Sequence, residues 1–479
     1  MKVAIETLGC KVNFYESEVI KGIFINNKYE IVSLEDKPDV IVINTCSVTN
    51  QSDAKDRKII RKAKRENPNA VIIVCGCYTQ QDPKELKDLD IDIILGNKDK
   101  TLIVTLLEEY LKNRKQIKKI YNLQETEFEE MQITKNYDRT RAFVKIEDGC
   151  DNYCSYCIIP YVRGRVRFKD YDSAYNEIKT LVADGFKEIV LTGIHTGRYP
   201  NLTKLIHEIS KLDGLERIRI SSIEITEINN EEFLTELKDN PKLCKHMHIP
   251  VQSACNNTLK MMNRKYTIEE FNEIIKKIRT VKPDINITTD LIVGFPTETE
   301  EDFNESLKNA EELKFGKIHV FPYSKRNGTA ASKMKNLVSD KQKTERTHKM
   351  LELSDKLEKE YYQKYINKEV YTANCDFKEK DLQKIAEEYE FLGRLTPKQT
   401  AENLRFIYEH IKTDTELVIL LGCEREYKDN KLEAWVNRHN DHKEYNSALR
   451  KEFDGCKNVT LFDVNEYITS DDDFNDSVN

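Results

Sequence analysis

Gly149-Cys150-Asp151-Asn152-Tyr153-Cys154-Ser155-Tyr156-Cys157 decides how the rest of this 479-residue chain is read. It follows Ala142–Ile146, a short apolar run of the kind that forms a buried strand. Its cysteines are spaced C-x3-C-x2-C, which puts three thiolates on one tight loop at a strand end. Three thiolates can hold three irons of a [4Fe–4S] cluster, which normally takes four cysteines, so the fourth iron stays open to a small molecule. Structural zinc wants four protein ligands. No fourth cysteine or histidine lies close by in the sequence.

Downstream of this loop, strand-like and helical patterns alternate. Ala142–Ile146, Glu188–Thr192, Arg217–Ser221, His246–Val251, Ile285–Val293 and Ile318–Pro322 read as strands. Amphipathic stretches at 172–183, 267–280 and 300–313 read as helices between them. Six such units predict a partial parallel barrel over 140–373, since a closed barrel of eight units takes about 250 residues. Upstream, Val3–Ile5, Val40–Ile43 and Val71–Val74 are β-rich runs separated by helical stretches near 14–26 and 52–66. This predicts a parallel α/β domain over 1–120, and the fold class is α/β throughout.

Each N-terminal run ends at cysteine: Cys10, Cys46 and the pair Cys75/Cys77. Ligands of open α/β sheets bind beyond the carboxyl ends of strands, so cysteines from three strand ends can converge on one site. Buried packing cysteines are the alternative. A charged stretch, 121–139, reads as a linker. The last segment, 374–479, is charged and helical at first, then carries two strand-like runs, Leu417–Leu421 and Val459–Val464. It ends in an acidic tail around Ser470–Asp473.

The chain has 83 acidic and 76 basic residues, a net charge of −7, so it has no global nucleic-acid signature. Twelve cysteines are too few to form a disulfide scaffold at this length and too many for inert packing in a reducing compartment. No run approaches 18 apolar residues, so no membrane span is expected. The opening Met1-Lys2-Val3-Ala4-Ile5-Glu6 meets an acid too early for a secretory signal, and a cytoplasmic protein is expected.

The C-x3-C-x2-C loop, with the aromatic Tyr156 before its last cysteine, resembles the radical S-adenosylmethionine superfamily. Thr7-Leu8-Gly9-Cys10-Lys11-Val12-Asn13, Asn44-Thr45-Cys46 and Gly76-Cys77-Tyr78-Thr79-Gln80 resemble the amino-terminal signatures of its methylthiotransferases. Cys154–Tyr161 followed by Arg163-Gly164-Arg165, then Thr289–Pro296 and His319–Ser324, match further segments in order, over about 1–373. The TLGCKVN start is most similar to the branch acting on threonylcarbamoyladenosine in tRNA.

This resemblance implies an enzyme with two [4Fe–4S] clusters and S-adenosylmethionine. Cys150, Cys154 and Cys157 would hold the radical-generating cluster. Cys10, Cys46 and Cys77 would hold an auxiliary cluster whose open iron carries sulfur, Cys77 being preferred to Cys75 by the family's Gly-Cys-aromatic-x-Gln pattern. The expected product is a 2-methylthio adenosine beside the anticodon. Tyr156, Thr192, Gly193, Glu224 and Gln252 are the cofactor-contact candidates; no general acid or base is assigned. Expected partners are tRNA and an electron donor such as flavodoxin or ferredoxin, with the chain a monomer.

Arg163, Arg165 and Arg167 follow the radical loop and are the RNA-binding candidates. Lys55, Lys58, Lys62 and Arg65 share one helix face and form a second basic patch, or an ordinary solvated face. Ala254, Cys255 and Asn256 depart from the family's pattern, as do Thr297, at a usual glycine, and Lys325, at a usual proline. The family usually ends in a small all-β RNA-binding TRAM domain, and no such pattern follows Tyr371. Thr396–Ile468 resembles instead part of an SGNH hydrolase, without its serine motif. Three readings remain distinct: methylthiolation of this or another tRNA adenosine, methylthiolation of a ribosomal-protein aspartate, and an iron–sulfur protein that binds RNA without turnover.

Overall fold

The structure, a computed structural model, describes residues 1–133, 141–365, 417–421, 438–454 and 459–463. The chain divides into two compact units, Met1–Glu360 and Tyr361–Asn479.

The first unit opens with alternating strands and helices: β1 (Lys2–Thr7), α1 (Lys11–Asn26), β2 (Glu30–Ile31), β3 (Val40–Thr45), α2 (Asn50–Glu66), β4 (Val71–Gly76), α3 (Cys77–Gln80), β5 (Ile93–Leu95), α4 (Ile103–Asn113) and β6 (Ile117–Lys119). All six strands are parallel, in the order β2-β1-β3-β4-β5-β6. β3 and β4 are buried at every residue, which is why they read as continuous apolar runs with no alternation. The short strands β2, β5 and β6 were not anticipated, because two or three residues carry no period.

A clasp follows. β7 (Ala142–Lys145) leads into β8 (Glu147–Asp148), the cysteine loop, α5 (Ile159–Arg163) and β9 (Arg167–Phe168), which returns antiparallel to β8. The barrel continues as α6 (Tyr171–Ala183), β10 (Glu188–Thr192), α7 (Leu202–Ser210), β11 (Arg217–Ile220), α8 (Ile225–Ile228), α9 (Glu231–Asp239), β12 (His246–His248), α10 (Asn256–Met261), α11 (Ile268–Val281), β13 (Asn286–Val293), α12 (Glu300–Leu313), β14 (Lys317–Pro322) and α13 (Asp340–Gln363). β11-β10-β7 and β12-β13-β14 are parallel sheets, joined by a parallel bridge between Ile218 and Leu243. Six strands in chain order form the expected partial barrel.

Helix starts follow local chemistry. Thr267 with Glu270 and Thr299 with Asp302 form capping boxes that satisfy the free N–H groups opening α11 and α12. Thr297, where the family usually has glycine, adopts a left-handed φ of +73°. A β-branched residue there stores strain of about 1–3 kcal/mol, so the loop keeps a glycine-like shape without glycine.

The stretch expected as a linker is fastened down where it is described. Leu123, Met131 and Ile133 are buried. Tyr15 Oη donates to Met131 O at 2.6 Å, and Ile133 N donates to Glu177 Oε1 at 2.8 Å. Three apolar anchors at irregular spacing produce no sequence period, so its acidic residues dominated the reading. Residues 134–139 lie outside the described residues.

In the second unit, β15 (Leu417–Leu421), α14 (Arg438–Phe453) and β16 (Val459–Asp463) form a parallel strand–helix–strand element, Leu417 opposite Val459. The remainder of the hydrolase resemblance over Thr396–Ile468, the helical stretch before it and the acidic tail lie outside the described residues. No described helix is long and apolar enough to cross a membrane.

Buried charges join the N-terminal sheet to the barrel. Glu16 on α1 pairs with Lys100, with Lys145 on β7 at 3.1 Å and with Arg163 on α5 at 2.6 Å. Burial would raise the Glu16 carboxyl, yet Arg163, Lys100 and Lys145 hold it well below the usual carboxylate range. Its contribution to stability is therefore complete above that range and is lost as pH falls through the lower folded value. Glu16→Gln leaves buried cations short of a counter-charge and should destabilise the fold by about 3–5 kcal/mol. A lowered urea midpoint at neutral pH checks this, with the gap to wild type narrowing in acid.

Candidate active site

The cysteine loop stands at the carboxyl end of β7, on the rim of a cavity of about 330 Å³. Cys150, Cys154, Cys157 and Tyr156 line one wall. Glu224 and Gln252 line others, together with His195, Arg264 and Asp290. Val48 and Thr49, just after Cys46, close it from the N-terminal sheet. Its size suits a cofactor-sized ligand. Burial, with Cys154 and the carboxylates Glu147 and Glu224 nearby, pushes the Cys150 thiol up to about 12. Burial and its two neighbouring cysteines do the same to Cys157.

Among the described residues no three His, Cys, Asp or Glu side chains stand close enough to share one metal ion. Each thiolate of a cubane binds a different iron, so wider spacing is what a [4Fe–4S] cluster requires. A soft, thiol-only donor set fits such a cluster. Thr192 Oγ1 and Thr196 Oγ1, near the cysteine loop, are buried without hydrogen-bond partners among the described residues. Thr196 lines the cavity, and these atoms are available to a polar ligand.

The contacts missed by sequence reasoning are specific. Arg264, in the turn after α10, pairs with Glu224 and reaches Cys154 Sγ at 3.4 Å. Glu224, a cofactor-contact candidate from the sequence, is thus the half-buried counter-ion of an arginine beside the cysteine loop. Gln252 holds a left-handed φ of +63° while its backbone is pinned to Asp290 O and Ile292 N. Backbone strain of this kind concentrates at ligand sites. Glu147 accepts from His195 N at 2.5 Å, and burial raises its carboxyl well above the usual range. A Cβ at Gly193 would stand 2.6 Å from Glu147 Oε2, so the small residue lets the Thr192–His195 turn close over that carboxyl. Arg264 and Glu147 lie outside any recognisable motif, and only folding reveals them.

The second cysteine group gathers at three adjacent strand ends. Cys10 follows β1 and opens α1, Cys46 follows β3, and Cys77 follows β4. Burial, then Cys77 and Cys10, push the Cys46 thiol up to about 12. Cys75 faces the opposite way, into an apolar core with Val42, Ile73 and Ile93. Cys77 packs against Ile158 and Val162 and accepts from Arg163 Nε at 3.3 Å and Asn97 Nδ2 at 3.4 Å. The single helix α5 therefore lies between the two groups. Gly9 makes the convergence possible: at φ +100°, a Cβ there would fall 2.5 Å from Cys46 Cβ and 2.7 Å from its Sγ.

The arginine candidates are corrected. Arg163 is 0% exposed, bonded to Glu16, Asp148 and Asn13. Arg167 is 6% exposed and donates to Thr126 Oγ1 and to Arg163 O. Neither can reach a phosphate; their charge answers buried carboxylates and a thiol. Arg165 is half exposed, with a surface partner in Glu127. Lys55, Lys58, Lys62 and Arg65 are all exposed on the outer face of α2.

Comparison with known proteins accords with this geometry. Residues 144–310 match the Radical SAM superfamily, and residues 2–96 match the Uncharacterized protein family UPF0004. The threonylcarbamoyladenosine tRNA methylthiotransferase MtaB of Bacillus subtilis is 44% identical over 374 residues, covering 76% of this chain and 83% of that protein. The chain belongs to the radical S-adenosylmethionine methylthiotransferase family. It is similar to the MtaB of Aquifex aeolicus at 40% identity, over 77% of this chain and 92% of that one. It is also similar to the tRNA-2-methylthio-N(6)-dimethylallyladenosine synthase of Clostridium perfringens, at 34% over 80% and 86%. Among solved structures, the radical S-adenosylmethionine methyltransferase TsrM of Kitasatospora setae shares the fold, with a TM-score of 0.51 and 14% identity over 67% of this chain and 74% of that one. As a radical S-adenosylmethionine methylthiotransferase the protein is a transferase that uses S-adenosylmethionine and a [4Fe–4S] cluster.

The Gly9 contact gives a direct test. Gly9→Ala should cost about half of the iron loaded on anaerobic reconstitution, since it strikes one thiol group and not the other. Iron and sulfide assays check this. Loading equal to wild type would show that the cradle tolerates a side chain.

Proposed function

We propose that this chain converts N6-threonylcarbamoyladenosine beside the tRNA anticodon to its 2-methylthio derivative. One observation carries the reading: two separate cysteine groups, Cys10/Cys46/Cys77 and Cys150/Cys154/Cys157, face each other across a single short helix, and the loop after Cys46 reaches the cavity that the second group lines. Methylthiolation needs a sulfur source and a radical source within reach of one carbon. The substrate choice is supported by the relatives at 38–44% identity, all named for threonylcarbamoyladenosine.

In this reading Cys150, Cys154 and Cys157 hold the cluster that, with S-adenosylmethionine, supplies one-electron cleavage and hydrogen abstraction, while Cys10, Cys46 and Cys77 hold the one that supplies sulfur. The chain's own residues position and shield. Arg264 places a fixed positive charge against Cys154, and Glu224 holds that guanidinium in place. Arg163 and Asn97 donate to the Cys77 sulfur and fix its position. Tyr156 seals the loop by packing edge-on against Phe295, ring centroids 6.4 Å apart. Gln252 and the Thr192–His195 turn offer polar groups at the strand ends for the cofactor's amino acid and ribose. Arg165 and the outer face of α2 supply exposed charge for RNA phosphates, which position the substrate without reading its sequence. An external one-electron donor completes the reaction, and cytoplasmic tRNA is the expected pool.

Reconstituted protein should bind about eight irons, falling to about four when Cys150, Cys154 and Cys157 are all alanine. Cys154→Ala should abolish S-adenosylmethionine cleavage. Cys46→Ala should retain cleavage and lose the 2-methylthio product, followed by mass spectrometry of digested tRNA. Full iron in the triple variant, or product formation by Cys46→Ala, would overturn the division of roles.

A further inference from the structure

A second polar group lies along strands β12–β14, and none of the chemistry above uses it. His246 and His248 on β12 both contact Thr288 Oγ1 on β13, at 3.1 and 3.0 Å. His248 Nε2 lies 3.3 Å from Asp290 Oδ1. The ring of His319 on β14 stands over that of His248, centroids 5.6 Å apart. Lys11 reaches into this group from the first turn of α1, its Nζ donating to Ser221 O at 3.1 Å. The group is continuous with the cofactor cavity. Asp290 belongs to both, Ser221 precedes the lining residue Ser222, and His319 lies two residues before the lining residue Phe321 on one strand face.

The charge of Lys11 is not answered by an ion pair. The groups facing it are Arg141 and Arg219 on one side of the balance and Asp290 and the Cys10 thiol on the other. Arg141, Arg217 and Arg219 already share one carboxylate, Glu188. Among the described residues no carboxylate lies within ion-pair distance of Lys11 Nζ, and His319 is exposed without a hydrogen bond. An ammonium has three donors, of which Ser221 O takes one. Two remain, near the unpartnered ring of His319.

We propose that Lys11, with His319, forms an anion subsite beside the cofactor cavity, and that it takes the carboxylate of the substrate's threonylcarbamoyl group. This rests on the substrate reading above and deepens it. An N6-threonylcarbamoyl group ends in an amino-acid carboxylate, whereas a dimethylallyl group is a hydrocarbon with no use for a charge. Because Lys11 directly follows Cys10, an adenosine anchored here is tethered next to the proposed sulfur-bearing cluster.

The test compares two anticodon stem-loop RNAs, one bearing N6-threonylcarbamoyladenosine and one its methyl ester, which removes the charge and little else. With the reconstituted enzyme, kcat/KM should fall roughly ten- to hundred-fold on the ester. Lys11→Gln should be slow on the acid and treat acid and ester alike within about threefold, a change in discrimination that a loss of structure alone would not produce. His319→Leu, farther from any cysteine, should shrink the discrimination too if Lys11→Gln fails to load iron. Equal turnover of acid and ester by wild type, or full discrimination kept by these variants, would overturn the subsite. Turnover of neither RNA by wild type would overturn the substrate assignment, and the subsite with it.

Discussion

Arg163 is the side chain on which the rest of the site depends. Its guanidinium is completely buried, and its five donors are spread over Glu16, Asp148, Asn13 and the Cys77 thiol. The four partners come from three places: Asn13 and Glu16 from α1, Asp148 from the clasp strand β8, and Cys77 from the helix after β4. A charge that cannot be deprotonated, buried among groups that need it, leaves those elements few alternative arrangements. The cost of burying it is offset because two carboxylates and a thiol answer it at once. The contact also couples chemistry to architecture, since Arg163 ends the helix that separates the two cysteine groups.

Arg264 repeats the device on the other side. It answers a half-buried carboxylate, Glu224, and reaches a loop cysteine, Cys154. Each cysteine group therefore has one arginine within hydrogen-bond reach of a thiol. Arg326 extends the pattern to the domain junction, bonding Ser47, Asn50 and Asp53 from the segment after Cys46. The barrel thus grips the N-terminal sheet by buried arginines as well as by apolar packing. This suits two sites that must keep a fixed separation.

The same logic explains why basic residues near a site are poor guides to nucleic acid. Arg163, Arg167 and Lys169 are a basic run in sequence, yet all three are buried against carboxylates or backbone oxygens. The exposed charge lies elsewhere, on α2, where one face packs Ile60 and Ala63 and the opposite face carries lysines to solvent. Lys11, exposed at the start of α1, has no carboxylate within ion-pair distance among the described residues, and the proposed anion subsite is built on that.

Local periodicity and cysteine spacing determined a great deal by themselves. Long buried strands such as β3, β4 and β13 and amphipathic helices such as α11 and α12 were legible, because burial on one stripe or on both faces writes a pattern into neighbouring residues. The two cysteine groups were legible because strand ends in an open parallel sheet lie side by side. What only the tertiary structure decided is every contact made across elements. It paired Arg264 with Glu224, turned Arg163 inward, separated Cys77 from the core residue Cys75, fastened 121–133 to the barrel and set Lys11 among histidines. These are meetings of single residues distant in the chain, and a charge shows whether it is buried or solvated only when the partner opposite it is known.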